Sequence, residues 1–186
     1  MVTQTRRRGD TRGEIQSAAL RRFNSQGYDK TSLREIAEDL GLTKAAVYYH
    51  FRTKEDILES LVRDVAASLD ELIGWARSEP STRERRIEFL RRLATATSGG
   101  LGDLMRCVQQ NELAMAGMPG TVSIVHRYKR ELSEAVLPAD ADTEARLRVR
   151  FAVMAVLVGS YGSDDLGGTA DERQQAAHRI AAEIVP

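Results

Sequence analysis

Thr43, Lys44, Tyr48, Tyr49, His50 and Lys54 place six side-chain donors within twelve residues, around the two smallest side chains of the stretch, Ala45 and Ala46. These residues suit contact with a polyanion. Phosphate oxygens accept from ammonium, hydroxyl and imidazole groups, and small residues let a helix backbone come close to base edges. Catalysis has no comparable candidates. There is no nucleophile motif, no phosphate loop and no cluster at metal-ligand spacing, so no enzyme activity, cofactor or metal is expected.

Presenting such donors takes a rigid frame, and the preceding residues supply one. From Thr11, Ile15, Ala19 and Phe23 recur at helical spacing, with Gly27 as a stop. Ser32-Leu-Arg-Glu35 is a capping-box pattern that opens a short helix with Leu33, Ile36, Ala37 and Leu40 inward. Gly41 can take the left-handed conformation of a tight turn, and Thr43 caps a third helix reaching about Phe51. Two short helices joined through a glycine turn form a helix-turn-helix pattern. Charge agrees. Residues 1–54 carry eleven Lys/Arg against six Asp/Glu, and the remainder sixteen against twenty-one, so a neutral chain divides into a +5 end and a −5 end.

The stretch from Thr31 to Glu55, TSLREIAEDLGLTKAAVYYHFRTKE, resembles the TetR family of one-component regulators, most specifically in Tyr-Tyr-His-Phe followed by Lys54-Glu55. The resemblance covers about residues 11–58. It implies a nine-helix homodimer whose first three helices bind double-stranded operator DNA and whose larger C-terminal part binds a small-molecule effector. It also implies roles. Thr43 caps the recognition helix and touches phosphate. Lys44 and Ala45 face bases. Tyr48 lies against the backbone or a thymine methyl. Tyr49 and His50 hold phosphates, and Lys54 anchors the start of the fourth helix. Ser32 and Arg34 grip phosphate across the groove, although capping alone would also explain Ser32. Arg6 to Arg8 and Arg12 either reach an adjacent minor groove or form a solvated tail.

Beyond residue 54, apolar spacing predicts six more helices. The fourth runs from Lys54 to Arg77 and the fifth from Thr82 to Thr97, where Gly99, Gly100 and Gly102 break it. The sixth covers Asp103 to Met115 and the seventh Val122 to Val136. The eighth starts near Thr143 and weakens from Gly159; the ninth spans Ala170 to Val185. No strand-period segment occurs. The expected fold is therefore all-α, in two domains: a basic arm over 1–10 and a helix-turn-helix head over 11–58, then an effector-binding and dimerisation domain over 59–186.

Effector contacts are expected among inward residues of helices four to eight: Trp75, Phe89, Met105 and Gln109, then Met115, Tyr128, Phe151 and Met154. The amides Gln109, Gln110 and Asn111 favour a neutral or weakly polar ligand. Phe151 to Val158 is apolar all round, and Ala177, Ile180, Ala181 and Ile184 form a stripe with many small residues. Both suit a homodimer surface, or the threading of helix eight through one subunit's core. Cys107 is the single cysteine, which excludes an intrachain disulfide, and no apolar run approaches the roughly 20 residues of a membrane span. A cytoplasmic, ligand-responsive DNA-binding regulator results, most simply a repressor. An activator or ligand-independent DNA binder is the alternative, and a helical carrier or enzyme a remoter one.

Overall fold

The computed structural model describes residues 10–111, 118–161 and 166–186. Its architecture is all-α. In chain order the helices are α1 (Thr11–Gln26), α2 (Leu33–Asp39), α3 (Lys44–His50), α4 (Lys54–Arg77), α5 (Arg83–Ala96), α6 (Gly102–Gln110), α7 (Pro119–Glu134), α8 (Thr143–Tyr161) and α9 (Ala170–Ile184). The basic residues Arg6 to Arg8 lie outside the described residues.

Two compact units divide the chain, Met1–Leu61 and Val62–Pro186. The division lies beyond the expected limit at 58, because the second turn of α4 still belongs to the first unit. There Ile57 and Leu58 are fully buried, and the Gln16 amide donates to the buried Ser60 hydroxyl at 2.9 Å. The rest of that core comes from Ile15, Ala18, Ala19 and Phe23 on α1, Leu33, Ile36 and Ala37 on α2, and Val47 on α3. Each is an apolar position at helical spacing, so the amphipathic pattern alone explains which face turned inward.

The second unit is built around Phe89, Leu90 and Leu93 of α5, Leu132 of α7, and Val149, Ala152, Val153, Val156 and Leu157 of α8. Buried Arg86 donates to the carbonyl oxygens of Ser81 and Pro186, which fixes the chain around the start of α5 and the end of α9. Burial lowers its pKa, and those carbonyls supply the acceptors a buried guanidinium requires.

Three local expectations change. The glycines after α5 do not break the chain into a loop. Residues Thr97–Leu101 form a π-helical turn leading straight into α6, with the Ser160 hydroxyl 2.6 Å from that of Thr97. Pro119 opens α7 instead of ending α6, since a proline at the first helical position loses no backbone bond. Gly159 does not weaken α8, which continues to Tyr161. It is a contact point. A Cβ there would stand 2.4 Å from Ala177 Cβ, so glycine is what lets α9 lie so close. The α6 helix ends at Gln110, where the Asn111 amide donates to the Cys107 carbonyl at 2.9 Å; the expected continuation to Met115 falls outside the described residues.

Candidate functional site

The third helix is seven residues long and buries one of them, Val47. Phe51, immediately after it, is buried too. This anchoring on one side turns the opposite side outward. Gly41 makes the turn that precedes it with φ +59°, a conformation that costs a residue with a Cβ. The Thr43 hydroxyl then accepts from the Ala46 N–H at 3.2 Å and caps the helix. Lys44, Ala45, Tyr48 and Tyr49 are exposed, Tyr49 to 86%. An aromatic side chain that open needs a partner or a reason. The Lys44 ammonium stands 5.2 Å from the centre of the Tyr48 ring, and the Tyr49 and His50 rings meet edge to face. No described carboxylate pairs with Lys44. Chemically, this face offers an ammonium, two phenols and an imidazole around one alanine.

Behind it, Arg22 fixes α2. Its guanidinium holds both Asp39 carboxylate oxygens at 2.6 and 2.7 Å, and also reaches Glu35 at 3.2 Å. The Arg22 bond keeps the Asp39 carboxyl below its ordinary range. Hydrogen bonds from the Ser32 hydroxyl and backbone N–H do the same for Glu35. A bidentate pair sets orientation as well as distance, so α2 has a defined axis against α1.

Several expected DNA contacts are engaged within the protein. The Ser32 hydroxyl accepts from the Glu35 N–H and donates to the Glu35 carboxylate at 2.8 Å, completing the capping box. Arg34 pairs with Glu38 at 2.8 Å, both exposed. Lys54 turns away from solvent. Its ammonium donates to the Tyr28 carbonyl at 2.8 Å and to the Asp29 carbonyl at 3.3 Å, over the face of the Tyr28 ring. Arg12 lies over Phe51, 4.4 Å from the ring centre. The sequence reading had passed over Arg52. The Asp56 carboxylate accepts from the N–H groups of Arg52 and Thr53, which fixes the turn after α3 and leaves Arg52 exposed beside the Tyr49–His50 face in sequence. Its place inside the family-like stretch was the available signal.

In the second unit a cavity of about 440 Å³ lies between α4, α6 and α7, with Leu101 and Leu157 at its edges. Val62, Val65, Ala66 and Leu69 form one wall; Leu104, Met105, Ile124 and Leu132 face them. Only Tyr128 and Lys129 bring polar atoms to the lining residues. The Tyr128 ring is buried, and its hydroxyl is occupied: it lies 2.7 Å from Asp70 Oδ1 and 3.1 Å from the Ala66 carbonyl, and accepts from Arg127 at 2.8 Å. Burial, followed by the Asp70 bond, raises its pKa.

Of the residues expected around an effector, Met105 and Tyr128 line this cavity. Phe89 is central core, and Met154 packs half-buried against it. Trp75 is held between the guanidinium groups of Arg85 and Arg92, 4.3 and 3.9 Å from its ring. Phe151 points outward, 61% exposed. Met115 and the Gln109 side chain lie outside the described residues. Gln110 is exposed, and Asn111 caps α6, so neither supplies the amide cluster expected at the ligand.

Leu147, Phe151 and Val158 on α8 and Ile180 on α9 are exposed, while Ile184 is half-buried. Ala177 and Ala181 are buried within the unit. The small-residue stripe therefore serves the contact between α8 and α9 of one chain, and the outward apolar positions are the larger ones.

A capped recognition-type helix, set by a glycine turn against a clamped partner helix, defines a helix-turn-helix DNA-binding head. Residues 15–61 match the family model described as bacterial regulatory proteins, tetR family. The chain is 35% identical over 80 residues to the HTH-type transcriptional regulator AcrR of Shigella flexneri, covering 43% of this chain and 31% of that protein. It is 33% identical over 72 residues to the HTH-type transcriptional repressor Rv1474c of Mycobacterium tuberculosis, covering 36% and 38%. These matches span about a third of the curated relatives' length. The whole fold resembles that of the ketosteroid transcriptional regulator KstR2 of Mycobacterium tuberculosis, with a TM-score of 0.68 and 20% identity over 93% of this chain and 92% of that one. AmtR of Mycobacterium smegmatis is similar, with a TM-score of 0.65 and 25% identity over 96% and 89%. The chain belongs to the TetR family of bacterial regulatory proteins.

Proposed function

We propose that this protein is a transcriptional repressor that binds a palindromic operator as a homodimer and is released by a small molecule held in the second unit. The outward face of α3 carries the reading. Lys44 and Ala45 meet base edges, Lys44 donating to a guanine O6 or N7. Thr43, Tyr48, Tyr49 and His50 hold the flanking backbone, joined by Arg52. Arg34 adds to them, since its exposed pair with Glu38 is weak enough to exchange for a phosphate.

Two supports favour the ligand and the dimer. The cavity has the size and apolar character of a small-molecule site. The outward apolar residues of α8 and α9 suit a self-complementary surface, and a two-fold axis through it would give two recognition helices for two half-sites. In this mechanism α4 is the carrier: one helix gives residues 54–61 to the head and lines the cavity with residues 62–69. An occupant that prefers one position of α4 shifts the population toward the dimer geometry that no longer fits successive major grooves.

Mobility shift with DNA from upstream of the protein's own gene tests the DNA claim. Wild type should bind, and Lys44→Ala and Tyr48→Ala should each weaken binding, with a loss of about 1–3 kcal/mol for the lysine if it reads guanine. Unchanged binding by both variants would move the contact surface off α3. Light scattering that gives a monomer at micromolar concentration would defeat the dimer.

A further inference from the structure

The lining of the cavity limits what can occupy it. Ten of its twelve lining residues are aliphatic or methionine, and the remaining two are Tyr128 and Lys129. A hydroxyl that already engages Asp70, the Ala66 carbonyl and Arg127 has no bond left to offer a ligand, so Tyr128 presents only its ring. Lys129 differs. It is half-buried, its stem contributes to the wall, and no described carboxylate lies within ion-pair distance of its ammonium. Asp70, the carboxylate nearest to this network by hydrogen bonding, is engaged by Tyr128, and Arg127 adds a second positive charge to the same hydroxyl. A long lysine stem lets the charge stand off the apolar space while staying within reach of a group at its edge.

We propose that the occupant is an apolar molecule ending in a single anionic group, of the long-chain carboxylate type, with its chain against Leu69, Leu104 and Ile124 and its anion paired with Lys129. This rests on the reading of the cavity as the effector site. It also reverses the expectation of a neutral ligand, because the amides that suggested one are not at the wall.

The test uses the full chain and three probes of equal chain length, decanoate, 1-decanol and decylammonium, titrated by calorimetry below their micellar concentrations. Decanoate should bind most tightly and decylammonium most weakly. Lys129→Met should weaken decanoate by roughly tenfold or more, the scale of one hydrogen bond to a charged group, and leave 1-decanol unchanged. Lys129→Arg should restore decanoate binding, and wild-type melting temperatures should show that both variants fold. Leu104→Trp, which fills the cavity, should remove binding of decanoate and 1-decanol together. Equal affinity for 1-decanol and decanoate, or no effect of Lys129→Met, would overturn the anionic class and leave the cavity standing. Decanoate binding that survives Leu104→Trp, or no binding by any probe, would overturn the cavity itself.

Discussion

The Tyr128 hydroxyl on α7 lies 2.7 Å from Asp70 Oδ1 on α4, 58 residues earlier in the chain. The same tyrosine ring lines the cavity, and the Ala66 carbonyl that shares its hydroxyl belongs to a lining residue too. One side chain therefore ties the cavity wall to the helix that also contributes to the DNA-binding head.

Tyr128→Phe keeps the ring and removes this tie. Asp70 is exposed and regains water, so the stability loss should be about 0.5–1.5 kcal/mol, read from chemical denaturation. A ligand that fills the cavity should bind the variant about as well, while its power to release operator DNA falls. Parallel titration and mobility shift separate the two. Unaltered release would show that α4 is moved through some other contact.

Lys54 has two bonds to carbonyl oxygens of the loop after α1, so its effect on DNA binding should be indirect. Lys54→Met should lower the melting temperature and weaken DNA binding without changing the slope of log affinity against log salt. A direct phosphate contact would instead reduce that slope by about one. A salt series on Lys54→Met beside Arg52→Met, for which the slope reduction is expected, distinguishes the cases.

The approach of α9 to α8 makes Gly159 sensitive. A methyl group there would lie 2.4 Å from Ala177 Cβ, so Gly159→Ala should destabilise the fold by about 1–3 kcal/mol despite alanine's better helix propensity. Adding Ala177→Gly should recover part of the loss, which a denaturation series on single and double variants would reveal.

Acid should unfold the protein partly through Glu88. Arg91 and Arg92 donate to its carboxylate at 2.7–2.8 Å and hold its pKa at about 2, down from 4.5. A carboxyl lowered in the folded state stabilises fully above its unfolded pKa, and that contribution disappears as pH falls toward the folded value. Melting temperature should therefore be nearly flat above about pH 5 and drop between about 4.5 and 2. Glu88→Gln should drop less steeply over that window. A variant curve parallel to wild type would show that Glu88 does not contribute.

Local signals were strong enough to be read directly. The extents of α4 and α9, the capping box at Ser32 and the cap at Thr43 follow from side chains acting on backbone within one turn, so the sequence contains both partners of each interaction. The outward face of α3 belongs with these, because Val47 and Phe51 alone decide which side is buried.

The ends of the bonds made by long polar side chains were not legible. Lys54 finds its carbonyl partners 25 and 26 residues away, and Arg22 spans 17 residues to Asp39; composition gives a lysine or arginine no address at that range. The effector residues were chosen for size and aromaticity, yet Trp75 went to two arginines, Phe89 to the core and Phe151 to the surface. Only packing decided this, since apolar burial is non-directional and any large apolar residue can fill core, cavity wall or interface. From sequence alone came the helices and the DNA-reading face, set by short-range periodicity and capping. Tertiary structure alone made Lys129 and Tyr128 neighbours of an apolar cavity, because that space exists only where three helices distant in sequence fail to close completely.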